Sequence, residues 1–322
     1  VSRLGYEYLS ILFYGGVFHF AALFLESTLR AAGDTRTPLF ITGSGLVLNT
    51  ILDPLLIFGI GPFPELGIRG AAAATVLSQA AIVLVFTFYF RSSRAILPVD
   101  LRAAKRPDPA TWWRIITIGA PASMITVLFT VVYLFLTSFL ARFGTVPVAV
   151  LGVGNRLEGI TYLVAHGLSV AVSTLVGQNL GAAKPRRAAA SAWIASLLGM
   201  GFGTIVALLF LFLPEEIFGL FTTDKVVIAE GAKFLRILAL CQTVMALEVV
   251  MYGAFAGAGD TLPATVISVV FNSLRIPAAW IVAVPLGYGP IGIWWMICIS
   301  CIIRALLLGG WFRRNRWMTK EV

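Results

Sequence analysis

The chain has 322 residues, of which 59% are hydrophobic and 12% are charged, and its formal net charge is +9. Soluble domains carry about a quarter of charged residues, so this composition excludes an ordinary water-soluble enzyme and a disordered segment. Three cysteines are too few for a disulfide scaffold. The composition predicts an all-α polytopic membrane protein, and at roughly 20 residues per span the chain accommodates about nine or ten helices.

Apolar stretches bounded by Gly, Pro and charged residues predict nine membrane-spanning helices. In chain order they cover residues 6–29, 38–60, 70–90, 115–140, 147–180, 188–213, 231–256, 262–286 and 289–312. The segment 91–114 is polar and contains three prolines, which predicts a linker between two lobes of a helical bundle. The predicted parts are therefore an N-lobe portion with three spans at 1–90, the linker at 91–114, a C-lobe with six spans at 115–312 and a tail at 313–322.

Basic residues predict the orientation of the spans. If the spans alternate, the six Lys and Arg of segment 91–114, the three at 184–187 and the four of the tail all lie on one face. By the positive-inside rule this face is cytoplasmic, which places the linker and the C-terminus inside a multi-pass protein of the plasma (inner) membrane. The basic residues are scattered over several loops without interleaved aromatics, so we expect no nucleic-acid partner.

Two segments of the chain repeat each other. Ala-Gly-Asp-Thr-Arg-Thr-Pro at 32–38 is echoed by Ala-Gly-Asp-Thr-Leu-Pro at 258–263, and each copy is followed by an Asn and, five residues later, a Pro. Duplicated bundles are typical of secondary transporters. Aligned on the two aspartates, residues 1–90 pair with about 227–316, which leaves 115–213 without a first copy. We therefore expect the nine spans to be the fourth to twelfth of a twelve-span protein.

Four runs of sequence resemble the multidrug and toxic compound extrusion (MATE) family. They are Leu-Arg-Ala-Ala-Gly-Asp-Thr-Arg-Thr-Pro at 29–38, Leu-Asn-Thr-Ile-Leu-Asp-Pro at 48–54, Gly-Ile-Arg-Gly-Ala-Ala-Ala-Ala-Thr at 67–75 and Val-Gly-Gln-Asn-Leu-Gly-Ala-Ala at 176–183. The resemblance implies two six-helix lobes that export small cationic or amphipathic compounds by alternating access, driven by H⁺ or Na⁺. We expect no enzyme activity and no cofactor beyond the coupling ion, and we expect a monomer in the lipid bilayer.

The second span contains an acid far from the membrane surface. Asp53 lies 15 residues after Pro38, about 22 Å along a helix, and Asn49 is one turn away on the same side. A charge at this depth is costly and is a functional candidate by default, although a polar packing cluster around Pro54 is the alternative. The resemblance implies that Asn49, Asp53 and Thr75 form part of the family's N-lobe cation site, whose main aspartate lies on the family's first helix.

The resemblance also favours H⁺ over Na⁺ as the coupling ion. The sodium-coupled branch of the family carries a glutamate on its seventh helix and an aspartate on its tenth. Aligned by motif, these positions hold Phe129 and Met245 in this sequence.

The predicted C-lobe has charged residues of its own. Glu248 and Arg275 fall at about the same depth on successive spans, so we expect them to form an ion pair. Glu158 is either a cavity acid for cationic substrates or a salt-bridge partner of a neighbouring helix. Gln178 and Asn179 end a span beside a basic loop and are predicted to cap or latch the cytoplasmic gate.

The remaining polar residues have simpler interpretations. Glu26 has Arg30 at i+4, which predicts a surface helix pair. No His or Cys cluster has the spacing of metal ligands, so we expect no metal site. Cys298 and Cys301 are predicted to be small packing residues rather than a redox pair.

Other functions remain open at this point. The first alternative is a flippase for lipid-linked oligosaccharides, which should line its cavity with several arginines; the candidates are Arg156, Arg236, Arg275 and Arg304. An inactive truncated remnant is the second alternative. A membrane-embedded enzyme is disfavoured because the sequence shows no catalytic cluster.

Overall fold

Nine helices in the part of the chain that the computed structural model describes, residues 2–92 and 108–319, are long and apolar enough to cross a membrane. This part is 88% helical and contains no strand, which confirms the predicted all-α multi-pass class. A tenth helix, α7, has only six residues. The helices are α1 Ser2–Ala31, α2 Arg36–Phe58, α3 Ile68–Arg91, α4 Pro109–Ala141, α5 Thr145–Gly181, α6 Pro185–Phe212, α7 Pro214–Gly219, α8 Lys225–Gly257, α9 Thr261–Ala283 and α10 Gly289–Arg313.

The helices α4 and α8 begin earlier than the apolar stretches predict, because an aspartate caps each of them outside the apolar run. The Asp108 carboxylate accepts hydrogen bonds from the N–H of Ala110 at 3.0 Å and of Thr111 at 3.3 Å. The Thr111 hydroxyl and these N–H groups hold the pKa of Asp108 below its usual value. The last six residues of the predicted linker 91–114 are therefore helical, whereas residues 93–107 lie outside the described part of the chain.

The repeated Ala-Gly-Asp motif forms the same turn in both copies. Gly33 and Gly259 both have a left-handed backbone, with φ of 90° and 67°. The N–H of Asp34 donates to the carbonyl of Leu29 and that of Asp260 to the carbonyl of Phe255, each at 3.0 Å. Glycine adopts such φ values without steric cost, and both copies use it to end a helix in the same way.

The chain divides into two compact units, unit 1 (Val1–Pro107) and unit 2 (Asp108–Val322). In unit 1, α3 packs against both α1 and α2. Small residues allow this approach: a Cβ on Gly70 would lie 2.2 Å from the carbonyl oxygen of Leu56. The apolar core is a small cluster near the α1–α2 turn, formed by Ala22, Leu29, Ile41, Ile82, Phe86 and Phe90.

Unit 2 is built around α8. This helix packs against α5, α6 and α10, and 20 of its 33 residues are buried. Close contacts again depend on glycine, because Cβ atoms on Gly253 and Gly257 would lie 2.1 and 2.2 Å from the carbonyls of Ser169 and Ser173. Such small-residue contacts are how membrane helices approach one another closely. Polar side chains on the inner face of α8, such as Glu248, therefore lie inside the bundle.

Candidate functional site

A cavity of about 280 Å³ lies between the three helices of unit 1. Its wall combines a carboxylate, amides, hydroxyls and an imidazole with apolar side chains. The lining residues are His19, Ala22, Leu23 and Glu26 of α1, Thr42, Gly45, Leu46 and Asn49 of α2, and Thr75, Ser78, Gln79 and Ile82 of α3. All three helices of the unit therefore contribute polar groups to one space.

Two of the three predicted cation-coupling residues lie in this wall. Asn49 and Thr75 line the cavity, while Asp53 follows Asn49 by one helical turn. Asn49 Nδ2 and Asp53 Oδ1 are buried and form no hydrogen bond within the described part of the chain. The Thr75 hydroxyl donates to the carbonyl of Ala71 at 3.0 Å. The structure thus joins Asn49 and Thr75 in one cavity and places Asp53 next to it along α2, outside the lining.

The turn between α1 and α2 holds the cavity helices together at one end. Asp34 Oδ1 accepts hydrogen bonds from the N–H of Arg36 at 3.1 Å and of Thr37 at 3.0 Å, and Oδ2 accepts one from the Tyr89 hydroxyl at 3.4 Å. Burial alone would raise the pKa of Asp34, but the bonds from Thr37, Arg36 and Tyr89 outweigh it and hold the pKa below its usual value. This carboxylate therefore connects α2 and α3 at the turn.

Unit 2 contains a network of buried charged and polar side chains, and its contacts contradict one prediction made from the sequence. Glu248 does not pair with Arg275: its Oε1 lies 3.2 Å from Arg304 Nη1, and both side chains are less than a tenth exposed. The Glu248 carboxylate also accepts a hydrogen bond from the Tyr252 hydroxyl at 2.9 Å and one from the Cys301 thiol at 3.4 Å. Three donors from two helices thus surround this acid.

The Arg304 guanidinium donates hydrogen bonds to two further acceptors besides Glu248. Its Nη1 donates to Asn272 Oδ1 at 2.9 Å and its Nε to the carbonyl of Ser300 at 3.3 Å. Arg275 is also buried, but its guanidinium donates to Ser300 Oγ at 2.7 Å and has no carboxylate within ion-pair distance among the described residues. The pairing prediction failed because depth along a helix says nothing about rotation around it, and α10 presents Arg304 to Glu248 directly.

In the described part of the chain, the other predicted residues of unit 2 form no hydrogen bond with this network, although the charges of Arg275, Arg304 and Glu248 act on Glu158 at longer range. Glu158, on α5, is half-buried and forms no hydrogen bond or ion pair with the described residues. Gln178 and Asn179 lie in the last turn of α5, where their carbonyls accept the N–H of Ala182 at 3.0 Å and of Lys184 at 2.8 Å. The Asn179 side chain donates to the carbonyl of Leu175 at 2.7 Å. These contacts close the helix end; the latch remains a prediction.

The cysteines of unit 2 are free and buried. Cys241 on α8 and the α10 residues Cys298 and Cys301 belong to the same apolar core. In the described residues no group of three or more His, Cys, Asp or Glu side chains is arranged to hold a metal ion.

Similarity to known proteins decides the family. A family model described as MatE matches residues 1–55 and 121–281, well over half of the chain. The chain belongs to the MATE family of efflux transporters. The resemblance of its motifs to this family is thereby confirmed.

Individual relatives are similar to this chain in sequence, and a solved structure is similar to it in fold. The chain is 31% identical over 326 residues to a probable multidrug resistance protein NorM of Thermotoga maritima, a match that covers 98% of this chain and 68% of that protein. It is 34% identical over 202 residues to an FAD transporter of Shewanella oneidensis, covering 62% of this chain and 44% of that protein. An outward-facing structure of a multidrug resistance MATE transporter superposes with a TM-score of 0.89 at 22% identity, covering 99% of this chain and 71% of that one.

The structure of this MATE chain also shows site residues that sequence reasoning missed. The predicted pair of Glu26 and Arg30 forms, but the Glu26 side chain is only 13% exposed and lines the cavity. The interpretation of Glu26 as a surface residue is therefore wrong. The signal was present in the sequence, because His19, Ala22, Leu23 and Glu26 share one face of α1 at helical spacing.

Proposed function

We propose that this MATE chain works as a secondary antiporter that exports small cationic or amphipathic compounds in exchange for H⁺ by alternating access. The observation that carries the proposal is the cavity of unit 1, where Asn49 and Thr75 lie together in the wall and Asp53 follows one turn later. The multidrug transporters among its relatives support the substrate class.

Asp53 is the group that takes up the coupling ion in this proposal. One of its carboxylate oxygens is buried and unpartnered among the described residues, and such an oxygen gains free energy when it binds a proton or a cation. Pro54 has no N–H, so a backbone carbonyl one turn earlier is also left free to accept.

The coupling ion is H⁺ rather than Na⁺ in this proposal. Phe129 and Met245 occupy the positions that resemble the acids of the sodium-coupled branch. Glu248, one turn beyond Met245, is already bound by Arg304 and Tyr252. Glu248 is therefore not free to replace the acid that Met245 lacks.

The remaining expectations follow from the same proposal. The transporter acts as a monomer in the plasma (inner) membrane without a cofactor, and segment 91–114 and the C-terminus face the cytoplasm. Gln178 and Asn179 hold the cytoplasmic gate, and Glu158 faces cationic substrates. The basic residues of the linker and the tail support this orientation.

Transport in proteoliposomes tests the proposal. Ethidium should move against an imposed proton gradient, and a sodium gradient alone should not drive it. Asp53→Asn should lower proton-driven transport at least about tenfold, the effect of about 1.4 kcal/mol of lost interaction. Glu215→Gln is the matched control, since Glu215 pairs with Arg236 in a half-exposed ion pair. Full transport by Asp53→Asn would exclude this coupling site.

A second substrate class is suggested by Arg275. This buried arginine has only a hydroxyl partner among the described residues, and one relative is an FAD transporter. A guanidinium binds phosphate groups well. FAD therefore belongs in the same vesicle assay, where Arg275→Gln should abolish its transport. A flippase is less well supported, because Arg236 and Arg304 are ion-paired and Arg156 is exposed.

A further inference from the structure

The hydroxyl groups in the unit 1 cavity present acceptors rather than donors. Thr42 donates to the carbonyl of Pro38 at 2.7 Å, Thr75 to that of Ala71 at 3.0 Å and Ser78 to that of Ala74 at 2.7 Å. Each hydroxyl hydrogen is thus used inside its own helix, and the oxygen lone pairs are what remain for an occupant. Three acceptor oxygens from two helices line the same space.

Glu26 adds a negative charge to this wall. Its side chain is 13% exposed, and its partner Arg30, one turn along α1, is 36% exposed. The two residues differ in their surroundings, because Glu26 lines the cavity whereas Arg30 does not. Because the Glu26 carboxylate borders the cavity and Arg30 lies outside its lining, a cation that enters the cavity can compete with Arg30 for the carboxylate.

The size and the apolar part of the wall limit the occupant. The volume of about 280 Å³ is close to the lower end of ligand pockets, roughly 300–1,000 Å³. Ala22, Leu23, Leu46 and Ile82 supply apolar surface beside the acceptors. On α2 the lining runs from Thr42 to Asn49, which is about 10 Å along the helix. This space suits a small organic ammonium ion with an aliphatic body.

We propose that Glu26 is the substrate-binding acid of unit 1, which holds the ammonium group of a small organic cation, and that Arg30 is the counter-ion replaced by the substrate. This inference rests on the proposed export function and assigns substrate binding and ion coupling to two different acids. The substrate binds at Glu26 inside the cavity, and the coupling ion binds at Asp53 outside its lining.

Binding of radiolabelled tetraethylammonium to the detergent-solubilised chain tests the assignment. Glu26→Gln should weaken binding at least about tenfold, whereas Glu26→Asp, which keeps the charge, should stay within about threefold of the unchanged chain. Glu7→Gln is the matched control, because Glu7 is also an ion-paired acid of α1 but does not line the cavity. It should bind tetraethylammonium normally.

Arg30→Gln separates a binding role from a structural one. If Glu26 binds the substrate, removing its competitor should leave tetraethylammonium binding unchanged or tighter. If the ion pair merely supports the helix, Arg30→Gln and Glu26→Gln should weaken binding equally, and the proposal is overturned. Normal binding by Glu26→Gln, or no binding by the unchanged chain, overturns it as well.

Asp53→Asn distinguishes this inference from the proposed coupling. That variant should bind tetraethylammonium like the unchanged chain and lose proton-driven transport. If it keeps transport while Glu26→Gln loses binding, the coupling site is wrong and the Glu26 assignment stands. If it loses transport while Glu26→Gln binds normally, the coupling site stands and the Glu26 assignment is wrong.

Discussion

Equivalent asparagines of the internal repeat have different surroundings in the two units. Asn49 lines a cavity in unit 1, whereas Asn272 is 1% exposed in unit 2 and accepts a hydrogen bond from Arg304 at 2.9 Å. Each is followed five residues later by a proline inside the helix. The same local motif therefore borders an open polar space in one unit and a closed ionic network in the other, and arginine side chains make the difference.

The largest expected change in the free energy of unfolding comes from removing one partner of the buried ion pair in unit 2. Arg304→Gln leaves Glu248 as a buried carboxylate without its counter-ion, and breaking one partner of a buried pair costs about 3–5 kcal/mol. The free energy of unfolding, measured by denaturant titration in micelles, should fall by this amount. Combining Arg304→Met with Glu248→Leu should recover most of the loss; an unchanged stability of Arg304→Gln would show that the two units do not differ in this way.

The next largest loss of stability is expected from substituting a glycine at a close contact of α8. Gly253→Ala places a Cβ 2.1 Å from the Ser169 carbonyl, and overpacking of this kind costs about 1–3 kcal/mol. Gly201→Ala is the control, because a Cβ there meets no atom within 4 Å. Gly70→Ala would place a Cβ 2.2 Å from the Leu56 carbonyl. Its effect therefore shows whether unit 1 is packed as tightly as unit 2. Thermal unfolding of the three variants measures the difference.

Removing the Asp34 carboxylate from the α1–α2 turn of unit 1 should cause a smaller loss of stability that depends on pH. Asp34→Ala removes the acceptor of two backbone N–H groups and should cost about 0.5–2 kcal/mol. Because the folded-state pKa of Asp34 is lowered, its contribution is present above the ordinary Asp pKa of about 3.9 and is lost as the pH falls towards the lowered value. Unfolding measured from pH 7 downward should therefore bring the two proteins together in stability, and a constant gap would contradict this sign.

The smallest effect is expected at the exposed pair of unit 2. Arg236 and Glu215 are 2.9 Å apart and half-exposed, and such pairs contribute about 0.2–1 kcal/mol. Arg236→Gln should therefore change the free energy of unfolding far less than Arg304→Gln does, and raising the salt concentration should reduce the change further. Equal effects of the two substitutions would remove the distinction between buried and exposed pairs.

Much of the fold follows from local sequence. Apolar length predicts the nine spans because a helix must satisfy its own backbone in lipid. Their ends were missed by several residues at α4 and α8, since Asp108 and Asp224 cap helices that continue beyond the apolar run. The Asn49 and Thr75 positions in the candidate site were predicted by resemblance to the family, and the cavity brings them together.

The sequence by itself determined the membrane class, the repeat with its glycine turns and the i+4 pair of Glu26 and Arg30, because each depends on residues close in the chain. The tertiary structure alone decided that Glu248 meets Arg304 rather than Arg275 and that Glu26 faces a cavity rather than the surface. Partner choice and cavity position depend on how each helix is rotated against its neighbours, and that rotation is set by packing over many contacts rather than by depth along one helix.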